Sequence, residues 1–242
     1  MLLLAIDTST TAIGVALHDG AGVVAHEATL DARAHAEHLA PGIERALRSA
    51  QARPEDVTDV VVGIGPGPFT GLRVGIVTGR TFAFALGLPV RGLCSLDALA
   101  HAAWLAGHRG DLLVATDARR KEVYAAQYLL HDTGATRVAG PVVDRATDLP
   151  DAWRVMPVAG RGPLLYPDAF SGVPVRAPRF GGIPDSPGTA PTSDGLRDVP
   201  AGALADLAAR RIAAGGPFDG LEPLYLRRPD VAPAAPVKST LG

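Results

Sequence analysis

The chain has 242 residues, a formal net charge of −2, and 47% hydrophobic residues with only 5% aromatics. That length suits one large domain or two small ones, and the near-neutral balance gives no general basic field, which disfavours tight RNA binding by this chain alone. The single cysteine, Cys94, excludes an internal disulfide and any cysteine-rich metal site, and it fits a reducing cytosol.

The opening MLLLAIDTST is too short in its apolar run for a signal peptide. No segment approaches the roughly 20 apolar residues that span a bilayer. The sequence therefore predicts a soluble, cytoplasmic protein with no membrane partner.

Leu2 to Ile6 reads as a buried strand, followed by the turn Asp7-Thr8-Ser9-Thr10. Ala12–Leu17 and Val23–Leu30 complete an antiparallel meander around the turn His18–Gly22. A helix starts near His35, with Leu39, Ile43, Leu47 and Ala50 on one face and Pro41 near its beginning. Pro54-Glu55-Asp56 begins a short turn, and Val60–Ile64 is the fourth strand. Gly65-Pro66-Gly67-Pro68 ends it, and Thr70 is expected to cap a helix over Gly71–Leu86. Apolar residues surround that helix almost completely, with Gly75, Gly79, Ala83 and Ala85 between them. Such a helix needs cover on most sides. Val90–Cys94 is the fifth strand, and Ser95 is the expected cap of a helix over Leu96–Leu105. Asp111–Thr116 and Val123–Leu130 are two further strands, joined by the charged tip Asp117-Ala118-Arg119-Arg120-Lys121-Glu122.

After Pro141 the regular patterning fades. Ser171–Pro200 reads as a long Pro/Gly-rich surface loop. Ala201–Ala214 is a helix, Pro223–Arg227 a short last strand, and 231–242 a disordered tail. Strands alternating with helices give an α/β fold with a mixed sheet. The expected division is a first lobe over about 1–110 and a smaller second lobe over about 111–230.

None of the chemical candidates assembles a catalytic site. The turn Gly65–Gly71 is neither a Walker loop nor a dinucleotide fingerprint, and Pro66 and Pro68 lack the N–H groups a phosphate would use. The bland alternative, a rigid strand-to-helix turn, is favoured. Asp7 is either a metal or phosphate contact or an Asx turn. His35 and His38 stand three apart with no third ligand, and His101 and His108 are two helical turns apart. Cys94 in an apolar strand predicts an inert thiol. The 117–122 tip is either a solvated hairpin or a charged contact for a protein or an RNA backbone.

Six stretches in order, LLAIDTST, HAEHLAPGIERAL, GIGPGPFTGLRVGIVTGR, ALGLPVRGLCSLDALA, DARRKEVYAAQY and PLYLR, resemble the TsaB family. The match is collinear from Leu3 to about Arg227. The resemblance implies an actin-like ASKHA (ribonuclease H-like) fold, two lobes each with a mixed sheet flanked by helices. It implies a non-catalytic subunit of the machinery that makes N6-threonylcarbamoyladenosine (t6A) at position 37 of tRNA. The expected partners are the transferase TsaD, as a heterodimer, and the ATPase TsaE, with tRNA met indirectly and a homodimer in isolation. No cofactor, metal or catalytic residue is expected. The metal-binding histidines of TsaD fall here on Ser95 and Leu99, and leucine cannot ligate. The partner-facing candidates are Leu39, Ile43, Leu72, Arg73, Ile76 and Arg80. The alternative is an ATP- or metal-dependent ASKHA enzyme, a phosphotransferase or glycoprotease-like peptidase.

Overall fold

The computed structural model describes residues 1–31, 35–178 and 195–227. The first sheet has five strands, β1 (Leu3–Asp7), β2 (Ala12–His18), β3 (Val23–Leu30), β4 (Asp59–Gly63) and β5 (Val90–Leu93), in the order β3-β2-β1-β4-β5. β1, β2 and β3 form the antiparallel meander, with Ala5 opposite Ala16. β4 and β5 join parallel to β1, with Ala5 beside Val61. All five residues of β1 are buried, because helices cover both faces of the sheet.

On one face lie α1 (His35–Ser49) against β2 and β3, and α2 (Phe69–Leu86) against β1 and β4. The other face carries, from the far end of the chain, α6 (Ala201–Ala213), which packs on β1, β2 and β3, and α3 (Ser95–Leu105) lies between α6 and the second sheet. The second sheet takes the order β8-β7-β6-β9, from β6 (Gly110–Asp117), β7 (Glu122–His131), β8 (Gly134–Arg145) and β9 (Val158–Ala159). It repeats the first sheet's arrangement without the last strand: an antiparallel trio, then a strand parallel to its first member. Two short helices, α4 (Asp151–Arg154) and α5 (Gly162–Leu165), flank it.

The small residues of α2 have a definite use. Gly71, Gly75, Gly79 and Ala83 recur every four residues and are all buried, so they form one stripe of the helix. A Cβ on Gly75 would overlap the Thr8 hydroxyl, and one on Gly79 would overlap Cγ1 of Val62. The stripe therefore lets α2 sit close on its own sheet, and the Thr8 hydroxyl donates to the Gly71 carbonyl at 2.8 Å. Alanine for glycine inside a helix ordinarily stabilises by about 1 kcal/mol. Here the sign reverses. Gly79→Ala is expected to destabilise the protein by about 2 kcal/mol through overpacking, read from urea unfolding midpoints.

Several expectations change. α2 starts at Phe69, with Pro68 at its N-cap position (φ −61°) and no side-chain cap, so Thr70 lies inside the helix. Pro68 serves there because a helix start needs no N–H from that residue. Ser95 likewise lies inside α3, whose N-cap is Cys94, and its hydroxyl is engaged elsewhere. β8, which begins at Gly134 ahead of Pro141, answers to no predicted element. Gly140 (φ +87°) and Pro141 read as breakers, but the pairing with β7 shifts register at Ala125–Gln127, and a bulge on an edge strand accepts both. No strand forms over Pro223–Arg227. The segment runs beside the first sheet through one bond, Leu224 N–H to the Ile64 carbonyl at 2.9 Å. Of the expected 171–200 loop, residues 179–194 lie outside the described residues, as does the expected tail 231–242. Leu196 and Val199 are packed, not loose. Among the described residues, no helix is long and apolar enough to cross a membrane.

Candidate functional site

The two sheets leave between them a cleft of about 300 Å³. The β1–β2 turn (Ser9, Thr10, Thr11) and the start of α2 form one wall. Thr116, Asp117 and Arg119 at the end of β6, with Arg161 and Asp198, form the other.

Asp7 ends β1 beneath the cleft and is 1% exposed. Its Oδ1 accepts from the Ser9 N–H (2.9 Å) and hydroxyl (2.7 Å), and its Oδ2 accepts from the Ser95 hydroxyl at 2.6 Å. Burial pushes its pKa up, against the hydrogen bonds from Ser95 and Ser9 that pull it down. Ser95 Oγ in turn accepts from the Gly65 N–H at 3.1 Å, and the Ser95 N–H donates to the Gly65 carbonyl at 2.7 Å. The glycine-rich turn therefore closes on Ser95, and its two prolines add no donors. Across the cleft, Arg161 forks onto Asp198 at 2.6–3.1 Å, and Asp198 also accepts from the Thr11 N–H at 3.2 Å. This arrangement clasps one lobe to the other.

The positions where metal ligands would fall do not fit a metal. Ser95 Oγ is already bonded to Asp7 and Gly65, and Leu99 is a fully buried hydrocarbon. Among the described residues, no three His, Cys, Asp or Glu side chains converge as a metal site. His38 stands 3.7 Å from Asp31. Cys94 is buried, which raises its thiol pKa to about 12.

The histidine that sequence spacing missed is His18. With His101 it flanks the Asp206 carboxylate, at 3.7 and 2.7 Å, although 188 and 105 residues separate the histidines from Asp206. No local pattern signals a cluster drawn from three elements.

The six partner-facing candidates divide. Leu39, Ile43, Leu72 and Ile76 are buried in the chain's own core, under α1 and α2. They cannot present a docking surface while the lobe is folded. Arg73 and Arg80 are exposed. Three large apolar residues of α2 are exposed: Phe69 at its start, and further along Val77, 57% exposed, and Phe84, 89% exposed. Arg73, Val77, Arg80 and Phe84 are spaced four, three and four apart, which places them on one helical face. That spacing was available in the sequence, but the all-round apolar composition hid which side was the core.

The comparisons with known proteins agree with this architecture. The family described as "TsaD: tRNA N6-adenosine threonylcarbamoyltransferase" matches residues 10–158, more than half of the chain. The chain belongs to the TsaD family. An uncharacterised protein of Mycobacterium tuberculosis is 40% identical over 235 residues, 96% of this chain and 95% of that one. The tRNA threonylcarbamoyladenosine biosynthesis protein TsaB of Bacillus subtilis is 35% identical over 130 residues, 53% of this chain and 55% of its own. The solved structure of YeaZ from Pseudomonas aeruginosa superimposes with a TM-score of 0.73 at 28% identity, covering 93% of this chain and 99% of that one. The fold is that of the ASKHA type, two mixed sheets flanked by helices.

Proposed function

We propose that this chain acts in t6A biosynthesis as a non-catalytic dimerisation subunit. It pairs with TsaD through the outer face of α1 and α2 and supports TsaD and the ATPase TsaE in modifying adenosine 37 of tRNA. The observation that carries the reading is the outer stripe of α2. A helix whose inner side is packed by glycines and leucines has no folding reason to hold Val77 and Phe84 in water. Two arginines, Arg73 and Arg80, border these residues, an apolar centre with a charged rim of the kind partner interfaces use. The cleft supports the non-catalytic part of the reading. Asp7 is engaged by Ser9 and Ser95, and Asp198 by Arg161 and Thr11. A general base or phosphate contact would need those groups turned toward a substrate.

The test is a calorimetric titration of this chain with its cognate TsaD. The parent is expected to form a one-to-one complex. Val77→Asp with Phe84→Asp is expected to weaken it by about a hundredfold or more, as for the loss of two central apolar anchors. Both residues point to solvent, so the thermal midpoint of the isolated chain stays within about 2 °C of the parent. Unchanged affinity in the double variant would place the interface elsewhere.

A further inference from the structure

The hairpin between β6 and β7 has an unusual backbone. Arg119, Arg120 and Lys121 are consecutive, exposed and left-handed, with φ of +64°, +52° and +66°. That region disfavours any residue with a Cβ, and glycine or asparagine would fit it better. Strain of this kind concentrates at functional positions.

The hairpin is also where this aromatic-poor chain gathers its rings. Three of its four tyrosines lie around the hairpin. The Tyr124 hydroxyl reaches the Gly67 carbonyl at 3.4 Å, tying the hairpin base to the start of α2. Tyr166 lies close to the Lys121 backbone. Tyr225, 41% exposed, stacks on Phe69, 48% exposed, with ring centres 4.9 Å apart, and the Arg73 guanidinium lies over Phe69 at 4.8 Å. Two residues beyond Tyr225, Arg227 grips the hairpin through the Ala118 carbonyl and Glu122, both at 3.0 Å. Arg119 pairs with Asp117 at 3.2 Å and Arg227 with Glu122, and Arg73 and Lys121 add positive charge to the same region of a chain whose net charge is −2.

From this juxtaposition we infer that the 119–121 hairpin and the Phe69–Tyr225 stack form a contact surface for single-stranded RNA. The cations meet phosphates, and the exposed rings stack on unpaired bases. An acidic protein surface would use the cations but leave the stacked rings unexplained. The choice of RNA among polyanions rests on the tRNA-modification reading above. The patch is local, so the contact is weak on its own and adds to what a partner supplies.

The test uses the full chain alone and a fluorescein-labelled RNA stem with a single-stranded loop, followed by fluorescence anisotropy at several salt concentrations. Binding near about 10⁻⁵ M at low salt is expected. Replacing all three hairpin cations (Arg119→Asn, Arg120→Asn, Lys121→Asn) is expected to lower affinity about tenfold and to reduce the slope of log K against log salt by about 2. The same variant relieves the backbone, so its thermal midpoint rises or holds, and lost binding is not lost folding. Tyr225→Ala lowers affinity at least about fivefold with the slope unchanged, and Tyr225→Phe restores it. An unchanged slope in the asparagine variant, an indifferent Tyr225→Ala, no binding by the parent up to about 10⁻⁴ M, or equal binding of a fully base-paired RNA duplex, which has no unpaired base to stack, would overturn the inference. No arm involves TsaD, so failure of the partner titration leaves this result to stand or fall alone.

Discussion

Leu72→Asp is expected to abolish cooperative folding of the chain, while Phe84→Asp, twelve residues along the same helix, leaves it folded. Leu72 is 0% exposed and lies in the core formed by α1, α2 and the first sheet. The substitution removes about 2 kcal/mol of apolar burial. It also places a carboxylate in that apolar core, which costs several kcal/mol more or forces the group to take up a proton. Together these approach the whole stability of an ordinary domain, about 5–15 kcal/mol. Phe84, at 89% exposure, loses no core contact. Far-UV circular dichroism with urea titration separates the two outcomes. A cooperative transition near the parent midpoint in Leu72→Asp would mean that α2 does not seat Leu72 as described.

Asp206→Ala is the second large effect, expected to destabilise by about 3 kcal/mol. Asp206 joins three elements: His18 of β2 and His101 of α3 face its carboxylate, and Arg210 donates to it from one turn along α6. Removing it leaves the buried His101 without its hydrogen-bond partner and the buried His18 without its neighbouring carboxylate. The His18 Nδ1 accepts from the Gly20 N–H at 2.9 Å, so only its Nε2 is turned to Asp206. Burial pushes the Asp206 pKa up, but the hydrogen bonds from His101 and Arg210, with His18 3.7 Å away, outweigh it and hold the carboxylate well below its ordinary range. A depressed folded-state pKa contributes stability that is present above the unfolded value, about 4. That contribution is lost as pH falls below it. The parent-to-variant difference in unfolding free energy should therefore be largest near neutral pH and shrink below about pH 4. A difference that does not depend on pH would assign the loss to packing alone.

The sequence was legible where the pattern was local. Val23–Leu30 and the helix over α6 stand within a residue of their predicted bounds because period and turn residues both mark them. β8 was hidden because Gly140 and Pro141 argue against a strand unless the partner strand is known to bulge there. Thr70 and Ser95 carry good capping chemistry, yet tertiary demands settle both. Pro68 opens α2, and Ser95 is drawn to Asp7, 88 residues away in sequence. The docking face was misassigned for a related reason. In a helix apolar on nearly every side, hydrophobicity does not say which side faces the sheet. The glycine stripe at 71, 75 and 79 does, once the close approach to Thr8 and Val62 is seen. Leu72 and Ile76 belong with that stripe, and Val77 and Phe84 lie opposite.

The most direct measurement is reconstituted modification: formation of t6A on unmodified tRNA, followed by mass of the digested nucleosides, with threonine, bicarbonate, ATP, a threonylcarbamoyl-adenylate synthase, TsaD and TsaE supplied with and without this chain. The account predicts no product from this chain in place of TsaD, product when the two are combined, and loss of that product with Val77→Asp and Phe84→Asp. Transfer by this chain without TsaD, or full modification when it is left out, would contradict it.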